Sequence, residues 1–75
     1  MTATGLAHLE QAAEDAYSAM YDASDRSAAA ARYSDAKDAF RAAIEVAQEL
    51  GMVEDEKRLA GRLEHVKAVF RSQFS

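Results

Sequence analysis

The sequence lacks several residue types that usually reveal the chemistry of a small protein. It contains no cysteine, no proline and no tryptophan, and it has only three glycines among 75 residues. Without cysteine there is no disulfide, thiolate nucleophile or cysteine-ligated zinc, and two histidines need carboxylate help to hold a metal. We therefore expect no metal and no cofactor. The absence of proline beside abundant alanine and charged residues favours an all-helical chain.

Long apolar runs are also absent. No stretch approaches the roughly 20 apolar residues that a helix needs to cross a bilayer. The N-terminus has no basic segment leading into an apolar one, which is the pattern of a signal peptide. We therefore expect a soluble cytoplasmic protein with no membrane partner.

Charge is distributed unevenly along the chain. The formal net charge is -4, which argues against a protein held to nucleic acid mainly by phosphate contacts. Residues 1–25 carry five acids and no base, whereas residues 57–75 carry five bases and a single acid. The two ends of the chain are expected to attract each other.

Apolar residues recur at intervals of three and four through almost the whole chain, which predicts helices. We predict three, at about 6–32, 35–50 and 54–74, and short connections make consecutive helices antiparallel. The expected fold is an all-α, up-down-up three-helix bundle with a long first helix. Residues 1–5 are predicted to form a flexible N-terminal tail, and residues 6–75 a single domain.

Capping residues support these boundaries. Thr4 and Ser34 are candidate N-caps of the first and second helices, and Gly51 stands where a left-handed residue ends a helix. The apolar phase of the first helix continues to Ala31, which favours one continuous helix. The Ser- and Asp-rich segment 22–27 offers the alternative of a capped break.

The apolar faces predict how the helices pack. Small residues such as Ser24, Ser27 and Ala31 are expected to leave room for Phe40, Phe70 and Phe74 in one layer. On this interpretation Phe70→Ala costs about 3 to 5 kcal/mol.

Part of the chain resembles a known helical repeat. Tyr33, Ala36, Phe40 and Ala43 lie in the segment RYSDAKDAFRAAIEVA. Their spacing resembles the second helix of a tetratricopeptide repeat, and the sequence that follows resembles the first helix of a next repeat. The resemblance implies a helical hairpin with closely packed helices.

The whole chain also resembles the microtubule-interacting and transport (MIT) domain, a three-helix module. The likeness rests on its length, on the segment YSDAKDAF and on a basic third helix ending in RLEHVKAVF. The resemblance implies a domain without catalysis that binds helical or extended peptides in grooves between its helices.

No group of residues forms a catalytic constellation. His8 and His65 have no nucleophile or ligand pair at catalytic spacing, and Glu14 and Asp15 point about 100° apart on a helix. We therefore predict that the protein is not an enzyme and has no small-molecule substrate.

The candidate partner-binding residues form a strip on the third helix: Arg58, Arg62, His65 and Val69. Such a strip suits an acidic amphipathic segment, although charged strips are commonly no more than a solvated helix face. The leading hypothesis is a non-catalytic protein-interaction module that binds a helical or extended segment between the second and third helices.

Two other functions are consistent with the sequence. The protein could be a structural homo-oligomer in which the Ala-rich face of residues 12–31 packs against its copy, since that helix is predicted to be longer than the second helix can cover. A nucleic-acid-associated regulator using the basic third helix has less support, because aromatic residues do not alternate with its bases.

Overall fold

A computed structural model describes the backbone of residues 3–74 and the side chains of residues 5–73. Three helices make up nearly all of it: α1 (Ala3–Tyr21), α2 (Arg26–Glu49) and α3 (Val53–Phe74). The central helix α2 packs against both of the others. The all-α three-helix fold is thus confirmed, and its Cα atoms span 38 × 18 × 13 Å.

The predicted boundary between the first two helices was wrong. The helix predicted over 6–32 ends at Tyr21, and the helix predicted over 35–50 begins at Arg26. The N-cap is Asp25, in extended backbone, whose carboxylate accepts a hydrogen bond of 2.7 Å from the Ala28 N–H. Ser34, the predicted cap, lies exposed inside α2.

The length of the helices explains the break. A continuous helix over 6–32 would be about 40 Å long and would extend past a second helix of about 24 Å. With the turn at residues 22–25, the three helices have 19, 24 and 22 residues and cover one another along most of their length. The Ala-rich segment after residue 25 then packs as the start of α2.

The N-terminal boundary also differs from the prediction. α1 begins at Ala3, so residues 3–5 of the predicted tail are helical. The proposed capping by the Thr4 side chain, and the first two residues of the predicted tail, lie outside the described residues.

The core follows a seven-residue spacing typical of helix bundles. In α1 the buried residues include Leu6, Ala13 and Met20, and in α2 Ala29, Ala36 and Ala43 repeat at the same interval. The largest fully buried side chains are Phe40, Met20, Leu59 and Val66.

The predicted layer of small and large residues was only partly right. Phe40 is fully buried, but Phe70 is only partly buried and stacks on Tyr33, with ring centroids 4.0 Å apart. Ser24, Ser27 and Ala31 are exposed, because the break at residues 22–25 removes them from a common stripe. The Phe74 side chain lies outside the described residues.

The turn between α2 and α3 confirms Gly51 as the residue that ends a helix. Its φ is +70°, in the left-handed region that favours glycine. The Gly51 N–H donates to the Gln48 carbonyl at 3.1 Å, and the Met52 N–H donates to the Ala47 carbonyl at 2.8 Å. This is the Schellman arrangement, which satisfies the last carbonyls of α2.

Candidate interaction surface

The predicted strip on α3 lies along the seam between α3 and α1. Three contacts cross this seam: Glu10 with Arg58, Glu14 with Arg62, and Tyr17 with His65. Each joins residues that are 48 positions apart in the chain. A constant offset means that α1 and α3 run parallel and in register, as the up-down-up topology requires.

Arg62 is the more enclosed of the two arginines. Its Nε donates to Oε2 of Glu14 at 2.9 Å and its Nη2 donates to Oε1 at 2.7 Å, a bidentate pair. The guanidinium carbon lies 5.4 Å from the centroid of the Tyr17 ring. Hydrogen bonding to Glu14 raises the pKa of Arg62 above its usual range, so the cation is fixed at every accessible pH.

Arg58 is held by two carboxylates. Its Nη2 donates to Glu10 and to Asp55, each at 3.0 Å, and its Nη1 makes a second, short bond to Glu10. These hydrogen bonds, with Glu10 the stronger influence, raise the pKa of Arg58 above its usual range. Both arginines of the predicted strip are therefore already engaged within the protein, and the expected attraction between the acidic and basic ends takes this form.

Tyr17 lies at the centre of the seam. Its ring meets that of Tyr21 edge to face, with centroids 5.4 Å apart, and meets that of His65 in the same way at 6.1 Å. Burial, followed by the hydroxyl contact with Tyr21, raises the pKa of Tyr17 to about 12. The two hydroxyl oxygens are 3.4 Å apart, which is long for an O–H···O bond, so burial is the main cause.

The seam ends in a surface of mixed aromatic and apolar character. Tyr21 is 51% exposed, His65 is exposed and Val69 is half-buried. The offset of 48 places Val69 beside Tyr21, at the point where α1 ends and α3 continues. We call Tyr17, Tyr21, His65 and Val69 the seam surface. The sequence pattern places Tyr21 at the edge of the apolar face of the first helix and does not predict its exposure. Tyr21 is exposed because α1 ends there.

The groove between α2 and α3 is occupied by the protein's own side chains. The Tyr33–Phe70 stack crosses it, with the Lys37 ammonium 4.8 Å from the Tyr33 centroid. Farther along, the Gln48 amide donates to Glu56 at 2.9 Å. A partner in this groove would displace these contacts, whereas Tyr21 and His65 of the seam surface are exposed.

The remaining candidates for chemistry are separate from one another. His8 is exposed on α1, and Asp15 accepts a hydrogen bond from Gln11 at 2.9 Å while Glu14 faces Arg62. Among the described residues, no group of three or more histidine, aspartate or glutamate side chains is placed to hold a metal ion. None of the helices formed by residues 3–74 is long and apolar enough to cross a membrane.

The structure differs from the expectations on which two other functions rested, the homo-oligomer and the nucleic-acid-associated regulator. α1 has 19 residues and is shorter than α2, so it has no excess length for a copy to cover. Ala13 and Ala29 are fully buried within the domain. On α3, Arg58 and Arg62 are paired, and Lys67 lies 3.9 Å from Glu64, which leaves fewer bases for phosphate contacts.

The chain matches no protein-family model, no curated protein and no solved structure. The resemblance to tetratricopeptide repeats and MIT domains therefore stays a prediction from the sequence.

Proposed function

We propose that the protein is a non-catalytic interaction module that binds a helical or extended segment of a partner protein on the seam surface. The observation that carries this proposal is the exposure of Tyr21, at 51%, at the end of an ion-paired seam whose register brings His65 and Val69 to the same end. Tyrosine is enriched at protein interfaces because it offers a large apolar ring together with a polar hydroxyl.

The ion pairs alter the kind of partner we expect. Arg58 and Arg62 face three carboxylates, Glu10, Glu14 and Asp55, so the row carries no excess of positive charge. An acidic segment, as the sequence suggested, would have to compete with these carboxylates. We now expect an apolar or aromatic side chain of the partner to pack against Tyr21 and Val69, with polar contacts at His65.

Site-specific crosslinking in the source cells tests the proposal. A photoreactive residue at position 21 is compared with one at Asp38, which is exposed on the side of α2 opposite its buried residues and so away from the seam. We expect one protein to be captured reproducibly from position 21 and not from position 38. Equal capture at both positions, or none at either, would contradict the proposal.

Calorimetry with the purified partner then measures the contribution of the surface. Tyr21→Ala and Val69→Ser are expected to weaken binding about tenfold or more each, as interface anchors do. Ala68→Ser, which changes an exposed neighbour of Val69, is the matched control and should bind like the wild type. Unchanged affinity in Tyr21→Ala would remove the seam surface from the function.

A further inference from the structure

Two exposed apolar residues stand three positions apart at the end of the bundle that is farthest from Tyr21. Leu50 is 38% exposed and Val53 is 54% exposed, on either side of the turn that joins α2 and α3. Met52 between them is half-buried. The Schellman turn at Gly51 fixes both in position, because its hydrogen bonds hold the backbone on which they stand.

This end is distinct from the seam surface. Since α1 and α3 run parallel, the start of α3 lies at the opposite end of the molecule from Tyr21. About 24 Å of helix rise separates Val53 from Val69, at about 1.5 Å per residue. One partner segment on the seam surface would leave this end free.

The charge around the two apolar residues is negative. Residues 45–56 contain five acids and no base, and the exposed Lys57 that follows leaves the segment 45–57 with a net charge of -4. Arg58, the nearest arginine, pairs with Glu10 and Asp55, while Glu56 accepts the amide of Gln48. Glu45, Glu49 and Glu54 remain exposed, and within the described part of the chain none of them forms an ion pair.

We propose that Glu49, Leu50, Val53 and Glu54 form a second docking surface, the hairpin-end surface, which binds a basic segment with apolar side chains. Apolar anchors of the segment would pack on Leu50 and Val53, and its lysines or arginines would face the flanking glutamates. Such complementarity excludes acidic segments and raises the association rate. With two docking surfaces at opposite ends, the module joins two proteins.

A designed peptide tests the chemistry directly with the full chain. The probe is a synthetic amphipathic helix of roughly four turns, with leucine on one face and lysine on the other. The comparison peptide has glutamate in place of each lysine. We expect the lysine peptide to bind with a dissociation constant on the order of 10–100 μM. Its chemical-shift changes should centre on residues 49–54, and the glutamate peptide should bind at least about tenfold more weakly.

Paired variants separate specific docking from general attraction to an acidic protein. Glu49→Lys and Asp38→Lys change the net charge equally at two exposed positions of α2. Binding of the lysine peptide should fall about tenfold in Glu49→Lys and little in Asp38→Lys. The double change Leu50→Ser with Val53→Ser should abolish it. Equal losses in Glu49→Lys and Asp38→Lys, or full binding by the double variant, would overturn the proposal.

Two further outcomes decide whether this surface is independent of the proposed function and of self-association. Tyr21→Ala should bind the lysine peptide like the wild type, so the hairpin-end surface can fail while the seam surface succeeds, or the reverse. Sedimentation analysis should give a monomer. A dimer that the Leu50→Ser and Val53→Ser changes dissociate would identify the occupant as a second copy, and would overturn the proposal of a basic partner.

Discussion

The two neighbours of α1 hold it by different means. Its buried residues Leu6, Ala13 and Met20 belong to an apolar interior in which alanines allow close approach to α2. Its side toward α3 presents Glu10, Glu14 and Tyr17, which meet long side chains across a wider gap. We therefore expect burial against α2 to supply most of the stability of α1, and the ion pairs with α3 to fix the register of the two parallel helices.

The largest effect is expected in the apolar interior. Phe40 is fully buried, so Phe40→Ala should destabilise the domain by about 3–5 kcal/mol, enough to unfold a protein of this size. Phe70 is only partly buried against Tyr33, so Phe70→Ala should destabilise the domain by less than half as much as Phe40→Ala. Thermal melts followed by circular dichroism measure both. Similar losses in the two variants would contradict the burial described for Phe70.

The second prediction concerns the seam. Arg62→Glu removes a bidentate pair with Glu14, whose side chains are 35% and 33% exposed, and places two carboxylates together. We expect a loss of about 1–2 kcal/mol, reduced by solvent screening at this exposure. Denaturant unfolding gives the value.

Two variants provide the controls for this pair. Exchanging both charges, with Glu14→Arg and Arg62→Glu in one chain, should restore most of the loss, because the attraction returns. Arg32→Glu removes a more exposed pair with Asp35, at 48% and 54% exposure, and should cost less than about 0.5 kcal/mol. If the exchanged pair is no more stable than Arg62→Glu alone, the attraction between residues 14 and 62 does not contribute to the stability of the protein.

Local and long-range features of the molecule differ in how well the sequence predicts them. α3 and the turn before it were predicted closely because their signals are local: Gly51 permits the left-handed turn, and acids at residues 54–56 with Arg71 at the other end match the helix dipole. The position of the break between α1 and α2 is not determined by a local signal. Asp25 and Ser34 are both plausible caps, and the apolar phase continues past both, so only packing of α1 and α2 as a pair selects Asp25.

The candidate site was predictable in the same partial way. The charge asymmetry between residues 1–25 and 57–75 indicated that the ends attract each other. Which glutamate meets which arginine depends on the register of two helices that are far apart in the chain. That register also decides that Arg58 and Arg62 face α1, so two of the four residues of the strip expected on α3 are held in ion pairs, and His65 and Val69 are not.

A smaller effect is expected at the two described glycines within or beside α3. Gly61 lies exposed in the middle of α3, with open space around the position of a Cβ atom. Gly61→Ala should therefore stabilise the protein by about 0.5–1 kcal/mol. Gly51→Ala has equal space but a φ of +70°, so it should destabilise by about 1–2 kcal/mol. Melting temperatures that move in the same direction would contradict one of these two assignments.

The last prediction has no effect at neutral pH and appears only in alkali. Burial raises the pKa of Tyr17 from its ordinary value of 10.0 to about 12 in the folded protein. The folded state therefore binds this proton more tightly than the unfolded state does. The stability that Tyr17 contributes is fully present below about pH 10 and is lost as the pH rises through about 12.

Tyrosinate absorbance and far-ultraviolet circular dichroism, recorded together during an alkaline titration, check this sign. We expect one tyrosine to ionise late, with a midpoint near 12, and Tyr17→Phe to remove that late component. Tyr21→Phe keeps the burial of Tyr17 and loses only the long hydroxyl contact of 3.4 Å, so the late component should remain. If Tyr21→Phe abolished it instead, the hydroxyl contact within α1 rather than burial would hold the proton, and the late component would not report the packing of Tyr17 against α3.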